Sequence, residues 1–143
     1  MSAENKAIVR RFMEDGWNKG DLSVIEACVT PDFVDHDPAN PPHVGKGVAG
    51  AKQVVNLYRS AFPDLHFTIE DLIAEGDKVV VRYSATGTHK GELMGLAPTN
   101  RRATVTAILI SRIAGGKIAE QWSNWDTAGL LQQLGAASTS AKS

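Results

Sequence analysis

The apolar residues change their period at Leu65, and that change limits the fold more than anything else in the chain. Before it, Ile8, Val9, Phe12, Met13 and Trp17 recur at helical spacing, and so do Val54, Val55, Tyr58, Ala61 and Phe62. Ser2 can cap the first of these helices. Asp21 can cap a short helix between them carrying Leu22, Ile25 and Glu26, with Pro31 closing the unit. Phe33 to His36 reads as a short strand or an extended entry. After Leu65 the period is two. Strands are expected over Leu65–Ala74, Val79–Thr88, Arg102–Ala114 and Lys117–Trp125, with tight turns at Glu75-Gly76-Asp77 and Gly115-Gly116. A short helix over Thr127–Leu134 ends the domain, and residues 136–143 are small, polar and expected to fray. Helices followed by a run of strands argue an α+β domain over residues 1–135.

A chain of 143 residues is long enough for one core and a cavity. Its 15 basic and 16 acidic residues leave a net charge of −1, with no basic block for nucleic acid and no polybasic membrane segment. No stretch approaches the roughly 20 apolar residues that a bilayer requires, and the first residues lack a secretory pattern, so a cytoplasmic protein is expected. The single cysteine, Cys28, reads as a small buried hydrophobe.

Two features point to a cavity and a partner. Residues 37–50 hold Pro38, Pro41, Pro42, Gly45, Gly47 and Gly50, which makes a long loop of the kind that often carries function. The Arg102–Ala114 strand is apolar on both faces, with Val105, Ala107 and Leu109 on one and Ile108 and Ile110 on the other. Few helices are available to cover both faces. A homodimer packed sheet against sheet is the simplest cover for the second.

Four short blocks then carry a resemblance: Gly87-Thr88-His89-Lys90-Gly91, Met94-Gly95-Leu96-Ala97-Pro98-Thr99, Gly116-Lys117-Ile118-Ala119-Glu120-Gln121-Trp122 and Gly129-Leu130-Leu131-Gln132-Gln133-Leu134-Gly135. In this order and spacing they resemble the SnoaL-like polyketide (ester) cyclases of the NTF2-like superfamily. The likeness runs from Ile8 to Gly135 and is densest from Gly87 on. It implies a cone: a curved, mostly antiparallel sheet with about three N-terminal helices and a short C-terminal one around an apolar pocket. In that family an aspartate on the last strand serves as acid and base for an intramolecular aldol closure, with a histidine on the preceding strand. Aligned through the third and fourth blocks, those positions hold Ser123 and Leu109. An ordinary serine hydroxyl is too weak a base at neutral pH, and leucine moves no proton.

The proton-handling groups must then lie elsewhere or be absent. His36, between Asp35 and Asp37, can shuttle a proton at a pocket mouth, with Asp126 or Asp35 as partner. Asp126 can equally be the N-cap of the last helix. Asp35 and His36 fall on opposite faces of an extended strand, so one of them points inward. Tyr58, Phe62, Tyr83, Met94, Leu109, Gln121, Ser123 and Trp125 are the expected ligand-binding lining, with Tyr83, Gln121 or Ser123 donating to an enolate oxygen. Trp122 then faces the opposite side. Arg82 and Arg112 are expected to lie on the exposed face, and His89 to be structural or at the rim. Asp35, His36, Asp37 and His43 have no spacing that gathers them on one ion, so no metal and no cofactor are expected. The expected activity is of the lyase or isomerase kind, cyclase-like, on a small hydrophobic carbonyl compound. The alternatives are a binding protein without catalysis and a limonene-type epoxide hydrolase, which needs an inward Asp-Arg-Asp set.

Overall fold

The period change becomes a division between a helical layer and a sheet. In the computed structural model, which describes residues 2–41 and 44–135, the helices α1 (Ser2–Arg11), α2 (Leu22–Cys28), α3 (Gly47–Ala61) and α4 (Thr127–Gln133) pack against one five-stranded sheet. Its strands are β1 (Val29–Asp35), β2 (His66–Glu75), β3 (Lys78–Thr88), β4 (Arg102–Ala114) and β5 (Lys117–Trp125), in the order β1-β5-β4-β3-β2. The expectations for His43 and for residues 136–143 lie outside the described residues. No helix among those described is long and apolar enough to cross a membrane.

Local chemistry sets the element ends. The carboxylate of Asp21 accepts from the Ser23 amide at 3.0 Å and caps α2. The β4–β5 hairpin closes through Gly115 and Gly116, with φ of 58° and 77°, a conformation that glycine adopts without a Cβ penalty. The first helix continues past Arg11 as a π-helical turn over Phe12–Trp17, which buries the neighbouring Phe12 and Met13 together.

One strand exceeds the sequence expectation. β1 starts at Val29, before Pro31, and runs parallel to β5. Proline is tolerated because β1 is an edge strand, where its missing N–H breaks no second ladder. The remaining pairings are antiparallel.

Two bulges set which residues face inward. On β2 the register shifts between Ile69 and Asp71, so Phe67, Ile69, Leu72 and Ala74 all meet the core. On β5 a shift opposite Arg112 and Ile113 lets Ile118, Gln121 and Ser123 share one face despite their mixed parity. Two apolar clusters result. One joins α1, α2 and α3 to the sheet through Val9, Phe12, Ile25, Val55, Val81 and Ile118. The other gathers Phe62, Leu65, Leu93, Ala103, Leu130 and Leu134 at the far end. Full burial of each large side chain contributes about 1.5–3 kcal/mol.

The Gly87-Thr88-His89-Lys90-Gly91 block has a structural explanation. The amides of Lys90 and Gly91 both donate to the Ala61 carbonyl, at 2.8 and 3.1 Å, at the end of α3. A Cβ on Gly91 would collide with the Ser60 carbonyl oxygen, so only glycine permits this approach. His89 is fully buried, and its Nδ1 accepts from the Thr99 amide at 3.2 Å. It fastens the β3–β4 connection and is not at the rim.

Candidate functional site

Between the two clusters lies a cavity walled by α1, α3, α4 and the inner face of the sheet. Counting its open mouth, it spans about 870 Å³ of atom-free space. Its lining is mostly apolar. Phe12, Met13 and Trp17 come from the π turn that continues the first helix, Phe62 and Leu65 from the turn between α3 and β2, and Leu130 from α4.

Most of the expected ligand-binding residues meet here. Tyr58 and Phe62 enter from the helical side, and Tyr83, Leu109, Gln121, Ser123 and Trp125 from the sheet. Leu109 and Ser123 are directly opposed partners on β4 and β5. Met94 does not reach this lining. It is 47% exposed and borders a shallow depression next to the mouth, shared with Asp37 and Trp125. The physical reason is a turn: Leu93 and Leu96 bond to each other across Met94 and Gly95, which sit at φ of 52° and 78°. That turn buries Leu93 and turns Met94 out.

The acid–base candidates are sorted differently from the sequence expectation. Phe33 is buried in the core, so Asp35, two residues on, faces the cavity, and Asp37 joins it there. His36 lies between them on the opposite face. Its Nε2 is 2.8 Å from Glu120 Oε2, and its ring stacks on Trp122 with centroids 5.2 Å apart. Glu120 also accepts from Arg112 Nε at 2.8 Å. His36 therefore lies outside the cavity. Asp126 is exposed and caps α4, with Oδ1 accepting from the Gly129 amide at 2.8 Å. It does not line the cavity either. The carboxylate that sequence reasoning passed over is Asp37. The strand alternation through Phe33 and Asp35 was the available signal, but the Asp-Pro that follows ends the strand and hides the continuation.

The two aspartates form a hydrogen-bonded loop corner. Asp35 Oδ1 accepts from the Asp37 amide at 3.0 Å. Asp37 Oδ1 accepts from the Ala39 amide at 2.9 Å, and its Oδ2 accepts from the Trp125 indole Nε1 at 3.1 Å. Burial pushes both carboxyls above the ordinary carboxylate value. For Asp35, the Asp37 amide and the Asn40 side chain oppose the rise. For Asp37, the Ala39 amide and Trp125 oppose it, and the neighbouring Asp35 charge adds to it.

Hydroxyls face the carboxylates. Burial raises Tyr83 to about 12, a hydrogen bond from Ser123 opposes the rise, and the Asp37 and Asp35 charges add to it. Burial raises Tyr58 further, again with Asp37 and then Asp35 contributing. Gln121 Nε2 donates to the buried Ser111 hydroxyl at 3.0 Å.

No arginine lines the cavity among the described residues. Arg82 pairs with Asp71 at 2.6 Å and Arg112 with Glu120, both on the outer face, as expected. The Asp-Arg-Asp set of an epoxide hydrolase is not assembled by these residues. Among the described residues no three of His, Cys, Asp and Glu converge as a metal site. Cys28 is buried, and burial raises its thiol.

A cone of helices on a curved five-stranded sheet, open at one end and holding a largely apolar cavity, defines an α+β protein of NTF2-like fold. Residues 7–134 match the SnoaL-like polyketide cyclase family, and the chain belongs to it. The nogalonic acid methyl ester cyclase of Streptomyces nogalater is 30% identical over 125 residues, covering 86% of this chain and 92% of that one. TsrD from Streptomyces laurentii superposes with a TM-score of 0.84 at 32% identity, covering 94% of this chain and 96% of its own. IdmH from Streptomyces antibioticus superposes with a TM-score of 0.79 at 33% identity, covering 92% and 98%.

Proposed function

We propose that this protein catalyses cofactor-free proton transfer on a small hydrophobic carbonyl compound, in an aldol-cyclase, isomerase or dehydratase type of reaction, with Asp37 as the base. The observation that carries this reading is the pair of inward carboxylates, Asp35 and Asp37, raised by burial at the edge of an apolar cavity. A carboxylate raised toward neutrality is matched to removing a proton next to a carbonyl. Asp37 is the better placed of the two: its charge acts on Tyr58 and Tyr83 more strongly than that of Asp35 does. Asp35 holds the Asp37 amide and raises the proton affinity of its neighbour.

Membership in the family and the likeness to an ester cyclase support a ring closure. In such a closure Asp37 takes the α-proton and the C–H pair becomes an enolate. The enolate carbon attacks a second carbonyl of the same molecule, forming a C–C bond. The resulting alkoxide recovers the proton from Asp37. Ser123 and Leu109 do none of this. They shape the wall, and the proton chemistry moves from β5 to the loop after β1. The link is Trp125, which shares the inward face with Ser123 and holds Asp37.

Deuterium uptake at the α-carbon of a model bicyclic ketone tests the reading. Asp37→Asn is expected to lower the rate by roughly 10²–10⁴-fold. A wild-type protein that binds the ketone without catalysing exchange would instead make it a binding protein. A second copy covering the outer sheet face, where Ile108 is 50% exposed, is part of the proposal. Light scattering that reports a monomer at micromolar concentration would remove it.

A further inference from the structure

Among the polar groups that line the cavity, one hydroxyl stands out. The Tyr58 oxygen is shielded from solvent and has no hydrogen-bond partner among the described residues. Leaving such a group unsatisfied costs about 1–3 kcal/mol, and folded proteins rarely tolerate it without a reason. Its neighbours are engaged. The Gln121 amide donates to Ser111. Trp125 spends its indole N–H on Asp37.

The ring of Tyr58 is held in place. It meets Trp125 edge-on, with centroids 6.0 Å apart at 87°, and lies 6.3 Å from Trp17. The residue projects from α3, whose C-terminus is tied down by the Gly87–Gly91 block. A donor that is rigid, dry and unpaired is what stabilisation of a developing oxyanion requires, because no reorganisation is needed when charge appears.

We propose that Tyr58 donates its hydroxyl proton in a hydrogen bond to the carbonyl oxygen of the substrate, and so selects ligands that carry an acceptor oxygen one atom from the carbon facing Asp37. This rests on the proton-transfer reading of the same cavity and names the group that receives the oxygen. Burial and the two aspartate charges keep Tyr58 protonated, so it acts as a donor and not as a base. As the α-proton passes to Asp37, the electron pair moves onto the oxygen, and the bond from Tyr58 strengthens without breaking.

The test uses 2-tetralone, an enolisable bicyclic ketone, and tetralin, the hydrocarbon of the same shape, on the full-length protein and on Tyr58→Phe. The variant keeps the ring and removes only the unpaired oxygen, so its melting temperature should equal or exceed that of the wild type. The carbonyl stretch of bound 2-tetralone should lie at lower frequency in the wild type than in Tyr58→Phe. The variant should bind the ketone about 2–10-fold more weakly, as expected for one lost hydrogen bond. Tetralin should bind both equally. Exchange at the α-carbon should fall roughly 10²–10³-fold.

An unchanged stretch and an unchanged ketone preference in Tyr58→Phe would overturn the role of Tyr58 while leaving Asp37 in place. A wild type that binds tetralin as tightly as 2-tetralone would overturn it too. A stretch that shifts on substitution, in a protein that exchanges no protons, would support the contact and remove the proton-transfer reading instead.

Discussion

The indole of Trp125 donates a 3.1 Å hydrogen bond to Asp37, tying the last residue of β5 to the loop that follows β1. This bond joins two residues of the cavity lining and fixes one carboxylate oxygen. It also favours the charged form of a group that burial works against.

Trp125→Phe should therefore raise the proton affinity of Asp37. A base must be deprotonated to act, so the acid limb of the kcat/KM profile should move to higher pH. Loss of positioning should also lower the plateau, by about tenfold or more. A pH–rate series on an enolisable ketone checks both. A profile superimposable on the wild type would mean that Asp37 is not the base.

Asp35→Asn should make the protein more stable at neutral pH. The folded-state carboxyl of Asp35 sits above its ordinary value of 3.8, so the native state holds that proton more tightly than the unfolded chain does. The associated stability is fully present below 3.8 and is lost as pH rises through the folded-state value. Asparagine loses nothing over that window and keeps the oxygen that accepts from the Asp37 amide. Thermal melts at neutral pH should favour the variant by a few degrees, and melts below 3.8 should not. The variant should also move the acid limb of the activity profile to lower pH, because Asp37 loses a neighbouring negative charge.

Asp126→Ala should cost about 1 kcal/mol of stability through loss of the α4 cap. Its activity should be unchanged, since the carboxylate caps the helix from outside the cavity. His36→Gln should likewise keep the exchange rate within a factor of about two, because the ring lies on the outer face against Glu120 and Trp122. Denaturant titrations and exchange rates on each variant separate these expectations from a catalytic role.

Gly91→Ala should destabilise the protein by about 2 kcal/mol or more, because the new methyl would meet the Ser60 carbonyl, a backbone atom that cannot swing aside. The same substitution at Gly76, where a Cβ would meet nothing, should cost less, limited to the strain of its φ of 61°. Urea midpoints of the two variants give the comparison.

The layer arrangement was legible because periodicity reports which side of an element is buried. Val105, Ala107 and Leu109 fall on the inner face of β4 as their alternation requires. The Gly115-Gly116 hairpin was legible because only glycine adopts two successive left-handed conformations at low cost. Seven of the eight expected lining residues reach the cavity, Tyr58 and Phe62 through helical spacing and the other five through strand alternation, and Met94 fails because it sits in a turn, where neither period holds.

The acid–base residues were not legible in the same way. Asp35, His36 and Asp37 are consecutive, and composition gives each an equal claim. Only the burial of Phe33 and the parallel pairing of β1 with β5 decide that the carboxylates turn in and the imidazole turns out. The bond from Trp125 to Asp37 joins residues 88 positions apart, beyond the reach of any local pattern. The chain by itself determined its layers, because those follow from short-range periods and turn chemistry, and its hollow was implied by the resemblance its motifs carry. Tertiary packing decided which acid–base groups line that hollow, because a side chain's direction at a strand end or in a loop depends on what its distant neighbours leave open.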